Sequence, residues 1–363
     1  MKELAIKDIC IKGFSALKQK ELLAIGKYPV YGASGISGYL NSYQQEKPYI
    51  GIVKDGSGIG RVDFYPEKTS LIGTMQYILP KNGYNIRYIG YCLQSLDLSK
   101  YKQGAAIPHI YFRDYGDRLV KVTEDINEQQ HIVSRLDSTF AHIDTLKANA
   151  EKQLREARAL FQKALERAME PKEAWEEKKI KDVGSVIGGT TPNTNVKEYW
   201  DGTLCWISPA ELDGSHYLYD SRKKITEAAV KAKSLKLLPE GTVILSSRAP
   251  IGKVVINKVP TYCNQGFKCV VCGKEIYNEF LYWWFWGKTD YLNSLGTGAT
   301  FKEISKKVVE EISIPVPPLA EQQHIVARLD SLSENLRKLE DIERKIISEC
   351  DAMKQALLRK VFE

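Results

Sequence analysis

Cys263, Cys269 and Cys272 are the first residues of this 363-residue sequence whose types suggest chemistry, since Cys-x-x-Cys is ordinary spacing for zinc ligands. No fourth Cys or His stands near them. On a strand Cys269 and Cys272 would face opposite sides, so the pattern predicts ordinary thiols and no metal site. His131 and His324 occupy equivalent places and would suit a proton-transfer pair. Both begin a repeated helical segment, which predicts a structural role or contact with a shared partner instead. Gly56-Ser57-Gly58-Ile59-Gly60 lacks the G-x-G-x-x-G spacing, and no G-x-x-x-x-G-K-[ST] occurs, so a Gly-rich hairpin approaching a backbone is expected and nucleotide binding is not. The run Tyr282-Trp283-Trp284-Phe285-Trp286 could stack on bases, but aromatics all round a helix predict a filled core.

Side chains suited to nucleic acid lie in polar and basic loops, because base edges are discriminated by paired donors and acceptors while Lys and Arg hold phosphates. In the first half these are Lys18, Lys20, Tyr31, Ser34, Lys54 and Arg61. The second half offers Thr191, Asn193, Asn195 and Lys197, then Ser246, Ser247 and Arg248.

The elements that must position these loops come in two copies. Glu128-Gln129-Gln130-His131-Ile132-Val133-Ser134-Arg135-Leu136-Asp137-Ser138 recurs as Glu321-Gln322-Gln323-His324-Ile325-Val326-Ala327-Arg328-Leu329-Asp330-Ser331, ten of eleven positions identical at an offset of 193. Weaker echoes join Gly58-Ile59-Gly60-Arg61-Val62 to Pro250-Ile251-Gly252-Lys253-Val254, and Gly104-Ala105 to Gly298-Ala299. From Ile325 the apolar positions Leu329, Leu332, Leu336, Leu339, Ile346, Cys350, Met353 and Leu357 keep a 4-3-4-3 spacing, broken only by Glu343 with Ile342 beside it. The first copy continues with Ile132, Leu136, Ile143, Leu146, Ala150, Ala157, Leu160, Ala164 and Ala168. Neither stretch contains Pro or Gly, so each predicts a helix of about 43 residues, a rod of roughly 60 Å. Each needs a partner along its apolar seam, and the other copy, packed antiparallel, is the nearest candidate.

Between the helices the sequence predicts an α+β fold. Thr242 to Leu245, Val254 to Ile256 and Phe267 to Cys272 are β-branched runs bounded by Gly or Pro and predict strands, while Asn278 to Leu295 predicts a buried helix. The expected division is a first globular domain at 1–127, a helix at 128–171, a second globular domain at 172–318 and a second helix at 319–363. Charge follows it: the globular segments carry +5 and +3, the helical ones 0 and −1, within a total of +7. That distribution suits two modules meeting a polyanion while the connecting segments do not. No stretch approaches the ~20 apolar residues that span a bilayer, and no secretory pattern opens the chain, so a cytoplasmic location with seven reduced cysteines is expected.

At this point the sequence resembles a known family. Gly26-Lys27-Tyr28-Pro29-Val30-Tyr31-Gly32-Ala33-Ser34-Gly35-Ile36 looks like the opening of one class of target-recognition domain. Gly188-Gly189-Thr190-Thr191-Pro192, with Tyr199-Trp200 and Trp206-Ile207-Ser208, looks like the opening of another. Pro315-Val316-Pro317-Pro318-Leu319 running into Glu321-Gln322-Gln323-His324 is similar to the approach to that family's spacer helix, whereas the first half has Val120-Lys121-Val122-Thr123-Glu124-Asp125-Ile126 there. The resemblance covers the whole chain and is to the specificity subunits of type I restriction-modification systems. It implies two target-recognition domains, each reading one half of a split site on double-stranded DNA, held apart by paired helices. Two methyltransferase subunits and restriction subunits would be the partners, with no cofactor, no membrane and no catalysis in this chain.

Near-identity of the helical starts, where the rest has diverged, makes Gln129, Gln130, His131 and Arg135, with Gln322, Gln323, His324 and Arg328, the expected partner-binding residues. Diverged heads predict two unlike half-sites. The rival expectations are a self-sufficient nuclease or methyltransferase, and a helical structural protein with no DNA role. No Asn-Pro-Pro-Phe-type methyltransferase motif or Walker loop is present to favour the enzyme.

Overall fold

The computed structural model describes residues 1–104, 108–248, 250–298 and 302–363, so Ala105 and Ala299 of the Gly-Ala echo lie outside the described residues. Two compact units are present: Met1–Gln153 with Ile342–Glu363, and Leu154–Asp341. Two long helices, Ile126–Ala168 and Leu319–Phe362, each give part of their length to both units.

In the first unit a four-stranded antiparallel sheet runs in the order Cys10–Lys12, Met75–Pro80, Tyr49–Val53, Val62–Tyr65. A smaller sheet pairs Tyr28–Gly32 antiparallel with Gly35–Leu40 and parallel with Ser70–Leu71. Lys2–Ala5 pairs with Leu119–Val122, which delivers the chain to the long helix. The helix Ile86–Ser95 presents Tyr88, Ile89, Cys92 and Leu93 to a core shared with Leu136, Phe140 and Ile143 of the first long helix and Cys350, Leu358 and Phe362 of the second. The two long helices are antiparallel in this unit, because Lys354 pairs with Asp144 while Asp351, three residues back, pairs at 2.8 Å with Lys147, three residues on.

The second unit repeats that plan. Its larger sheet has the order Gly184–Gly188, Phe267–Cys272, Val243–Ser246, Val254–Asn257, with Tyr217–Leu218 added parallel at the edge. The smaller sheet again has one antiparallel and one parallel pairing around a middle strand, Trp200–Ile207 between Lys223–Ile225 and Thr261–Cys263. Glu176–Lys179 pairs with Ser313–Val316 ahead of the second long helix. Strands expected at 242–245, 254–256 and 267–272 are therefore present, because β-branched side chains filled both faces of a covered sheet. The helix expected over 278–295 is two, Asn278–Gly287 and Thr289–Leu295, separated at Lys288. Within the aromatic run Tyr282, Trp283, Trp284 and Phe285 are buried, so the core reading holds for them and Trp286 is the exposed one.

The apolar seam departs from its expected register at the far ends of both long helices. Leu160 is 68% exposed while Phe161, Leu165 and Met169 are buried. Likewise Leu358 and Phe362 are buried rather than Met353 and Leu357. There the inward face is set by a globular head as well as by the other helix. Phe161 meets Trp283 edge-on at 5.7 Å, and Phe362 meets Tyr88 at 5.1 Å. A straight helix drifts against a seven-residue repeat, and the heads hold that drifted face.

Candidate nucleic-acid interface

Each head presents loops from one end of its sheets. In the first head the turn between Tyr49–Val53 and Val62–Tyr65 is closed by Gly60 N–H donating to Val53 O at 2.8 Å. Gly60 has φ +86 and lies so near Ser99 that a Cβ would stand 2.4 Å from its backbone nitrogen. The matching turn has Gly252 at φ +94 against Thr289, so the glycines serve close packing within the chain. Gly56 and Gly58 also have positive φ.

Around that turn Arg61 donates to Asp63 at 2.8 Å and to the Ala33 carbonyl, bringing the Ala33-Ser34 turn beside it. Ser34 is exposed, and the half-buried Tyr31 ring packs 5.0 Å from Tyr65. Lys54 lies over the exposed Phe14 ring at 5.6 Å. Lys18 and Lys20 are exposed on the adjoining loop, tied to the small sheet where Gln19 donates to Ser37 O at 2.9 Å. Sequence reasoning missed a ladder beside them. His109 Nδ1 pairs with Asp55 Oδ1 at 2.6 Å, Tyr111 stacks on His109 at 6.3 Å, and the Arg113 guanidinium lies 4.8 Å from the Tyr111 ring centre.

In the second head Thr191 donates to Gln265, and the exposed loop beyond it carries Asn193, Asn195 and Lys197. The two oxygens of Asn193 hold the loop, Oδ1 accepting the Asn195 N–H at 3.0 Å and the backbone carbonyl the Trp200 Nε1–H at 3.2 Å. Ser246 and Ser247 do not belong to an exposed surface, which corrects the expectation for both. Ser246 Oγ donates within the turn to Arg248 O and Pro250 O at 3.0 and 2.8 Å. Ser247 Oγ accepts from the buried Lys268 Nζ at 3.1 Å. Arg248 is exposed, and its Nε donates to Glu303 Oε2 at 2.9 Å while Lys268 Nζ reaches Glu303 Oε1 at 3.1 Å. Burial would raise the Glu303 pKa, but these two cations outweigh it and hold the carboxyl below its ordinary value. The Glu303 carboxylate therefore stays charged at neutral pH. The faint Gly-Ala echo, just before both His109 and Glu303, was the sequence signal for this region.

The repeated helical starts divide into two faces. Gln129 is fully buried: its Oε1 accepts the Asn85 N–H at 2.7 Å, and its Nε2 donates to Gly83 O at 3.1 Å and Thr123 O at 2.9 Å. Gln322 does the same for Tyr277 N–H, Glu275 O and Pro317 O at 2.7, 2.8 and 2.8 Å. These two glutamines clamp head to helix, so they are withdrawn from the partner-binding set; a side chain with no surface and three satisfied groups offers nothing to a partner. Asp137 and Asp330 brace the same joint. Asp137 accepts from Arg87 at 2.6 Å and from Tyr91, whose hydroxyl is pushed up to about 12 by burial and then by this hydrogen bond, and Asp330 accepts from Trp283 Nε1 at 2.8 Å. Where the first half lacks the prolines, Asp125 accepts the Asn127 N–H at 2.9 Å, and Thr123 donates to Glu128. Gln130, His131, Ser134, Arg135 and Ser138 are exposed on one helical face, as are Gln323, His324, Ala327, Arg328 and Ser331.

Among the described residues no group of three or more His, Cys, Asp or Glu could hold a metal ion, and no helix is long and apolar enough to cross a membrane. Cys263 and Cys269 are buried side by side with sulfurs 3.6 Å apart, and burial pushes the Cys272 thiol up to about 12.

Two heads of one topology, unlike polar loop ends and paired long helices define a class of duplicated recognition subunit. Residues 1–156 and 172–347 both match the family described as type I restriction modification DNA specificity domain, and the chain belongs to that family. It is 45% identical over 182 residues to the type I restriction enzyme MjaIX specificity subunit of Methanocaldococcus jannaschii, a match covering 48% of this chain and 42% of that one. To the EcoR124I/EcoR124II specificity subunit of Escherichia coli it is 28% identical over 318 residues, 82% of this chain and 77% of that one. A solved structure from work on assembly and conformational transition of the type I R-M system superposes with a TM-score of 0.78 at 17% identity, covering 99% of this chain and 97% of that one. The HsdS subunit of Thermoanaerobacter tengcongensis gives 0.58 at 16% identity, covering 99% and 96%. These two likenesses speak to the fold alone.

Proposed function

We propose that this chain is the DNA specificity subunit of a type I restriction-modification complex, that its two heads read unlike halves of a bipartite asymmetric site, and that it performs no catalysis itself. The observation that carries this reading is the pair of heads with one strand topology but different side chains at the loop ends. A shared frame serves one docking geometry, and unlike loops serve two base sequences. The first head would use Lys18, Lys20, Tyr31, Ser34, Lys54 and Arg61, and the second Thr191, Asn193, Asn195, Lys197 and Arg248. Residues 1–127 and 172–318 would be the recognition domains and 128–171 and 319–363 the spacers, with the whole working on DNA in the cytoplasm.

The partners are two methyltransferase subunits, joined by restriction subunits for cleavage. Support for two equal docking places comes from the exposed, repeated residues Gln130, His131 and Arg135 with Gln323, His324 and Arg328. Their side chains make no hydrogen bond or ion pair among the described residues, so the fold does not explain their repetition. Relatives named as specificity subunits support the same assignment.

Lengthening both spacer helices by one matching heptad tests the separation of roles. The unspecified gap in the methylated site should widen while both motifs stay the same. An altered motif would show that helices and heads are not independent.

A further inference from the structure

At one equivalent place each head carries a two-way backbone bridge, and the acid–base pair beside it is reversed between the heads. Gln103 and His109 exchange both backbone hydrogen bonds at 2.8 Å, and Thr297 and Glu303 exchange theirs at 3.1 and 2.9 Å. The following residue ties each bridge to a neighbouring loop: Ile110 N–H donates to Lys54 O and Ile304 N–H to Ser247 O, both at 2.9 Å. These positions are related by offsets of 193 and 194, matching the sequence repeat, so Asp55 stands where Arg248 stands and His109 where Glu303 stands. In the first head the acid is on the turn and the base on the bridge. The second head has them the other way round.

A pair that only braced the backbone bridge would do so in either orientation, but the two orientations offer different chemistry to a ligand. Arg248 is held through Nε alone, its side chain is 44% exposed, and its two terminal nitrogens have no partner among the described residues. A fixed planar fork of that kind matches the O6 and N7 acceptors of guanine. In the tautomer whose Nδ1–H donates to Asp55, the imidazole carries its lone pair on Nε2. That acceptor suits the amino group of adenine or cytosine in the major groove.

We propose that Arg248, positioned by Glu303, and His109, positioned by Asp55, are the equivalent base-discriminating residues of the two heads, the second head selecting guanine and the first an amino-bearing base. This rests on the DNA-reading function given above. It goes further by naming one base position in each half-site and the pair that sets it.

The test is sequencing of methylated bases in a host carrying the complete system, with the unaltered chain as reference. If the reference shows no two-part motif, the DNA-reading account itself fails. Given such a motif, Arg248→Lys keeps the charge and the Glu303 contact but loses the fork. It should relax one guanine position in one half-site by about tenfold or more and leave the other half-site unchanged. The exchange Asp55→Arg with His109→Glu should convert one position of the other half-site to guanine. Should circular dichroism show that exchange unfolded, Asp55→Asn is read in its place and should relax that single position. Unchanged motifs in Arg248→Lys and Asp55→Asn overturn the proposal, as do changes spread over both half-sites.

Discussion

Gln129 accepts the backbone N–H of Asn85 at 2.7 Å, joining the first long helix to the residue that caps the helix of its own head. Gln322 holds Tyr277 at the same distance in the second unit. Gln129→Ala would leave a half-buried N–H and two carbonyls, the Thr123 one buried, without this partner, and Gln322→Ala would do the same at the other joint, where the buried carbonyl is that of Pro317. Each substitution should cost about 2–4 kcal/mol. Chemical denaturation checks this, and a loss below ~0.5 kcal/mol would show that the clamp is dispensable.

Charge reversal on the exposed face should separate assembly from stability. Arg135→Glu or Arg328→Glu alone should leave one methyltransferase per specificity subunit, and the two together none, with the melting temperature within a degree or two of the parent's for surface changes of this kind. Mass photometry counts the copies. Two methyltransferases on the doubly substituted chain would place the docking surface elsewhere.

Acid sensitivity is expected at the two-stranded sheet, Glu176–Lys179 with Ser313–Val316, that leads into the second long helix. Glu311 lies between Lys179 and Lys181, and their hydrogen bonds, Lys179 first, lower its pKa from the ordinary 4.5 to about 2. A carboxylate with a depressed folded-state pKa contributes stability that is fully present above pH 4.5 and is lost as pH falls toward 2. Glu311→Gln should therefore flatten the stability profile in that window and leave the slope above pH 6 unchanged. An unchanged acid limb, measured by denaturation at each pH, would remove Glu311 from this role.

Backbone geometry predicts unequal costs at the two shared turns. Gly60→Ala must relieve a contact with backbone at a positive φ, while Gly252→Ala meets mainly the Thr289 side chain. We expect Gly60→Ala to cost about 2–3 kcal/mol and Gly252→Ala less. Equal melting temperatures for the two variants would contradict the close packing of Gly60 on Ser99.

The division between legible and hidden features follows from range. Val243–Ser246 and Phe267–Cys272 were readable because local β-branched runs report a buried sheet directly. Leu160 misled because a heptad count assumes a single partner, whereas Phe161 also faces Trp283. Ser246 and Ser247 have the composition of a solvated turn, and only the three-dimensional approach of Lys268 and of the Arg248 and Pro250 carbonyls reveals them as buried. Asp55 and His109 meet across 54 positions of sequence, with no local pattern to announce the pair.

Sequencing of methylated bases in a host carrying the complete system tests the central claim most directly. Two diverged heads on one frame predict two short, unlike motifs separated by a fixed stretch of unspecified sequence. A continuous palindrome would contradict the two-headed account.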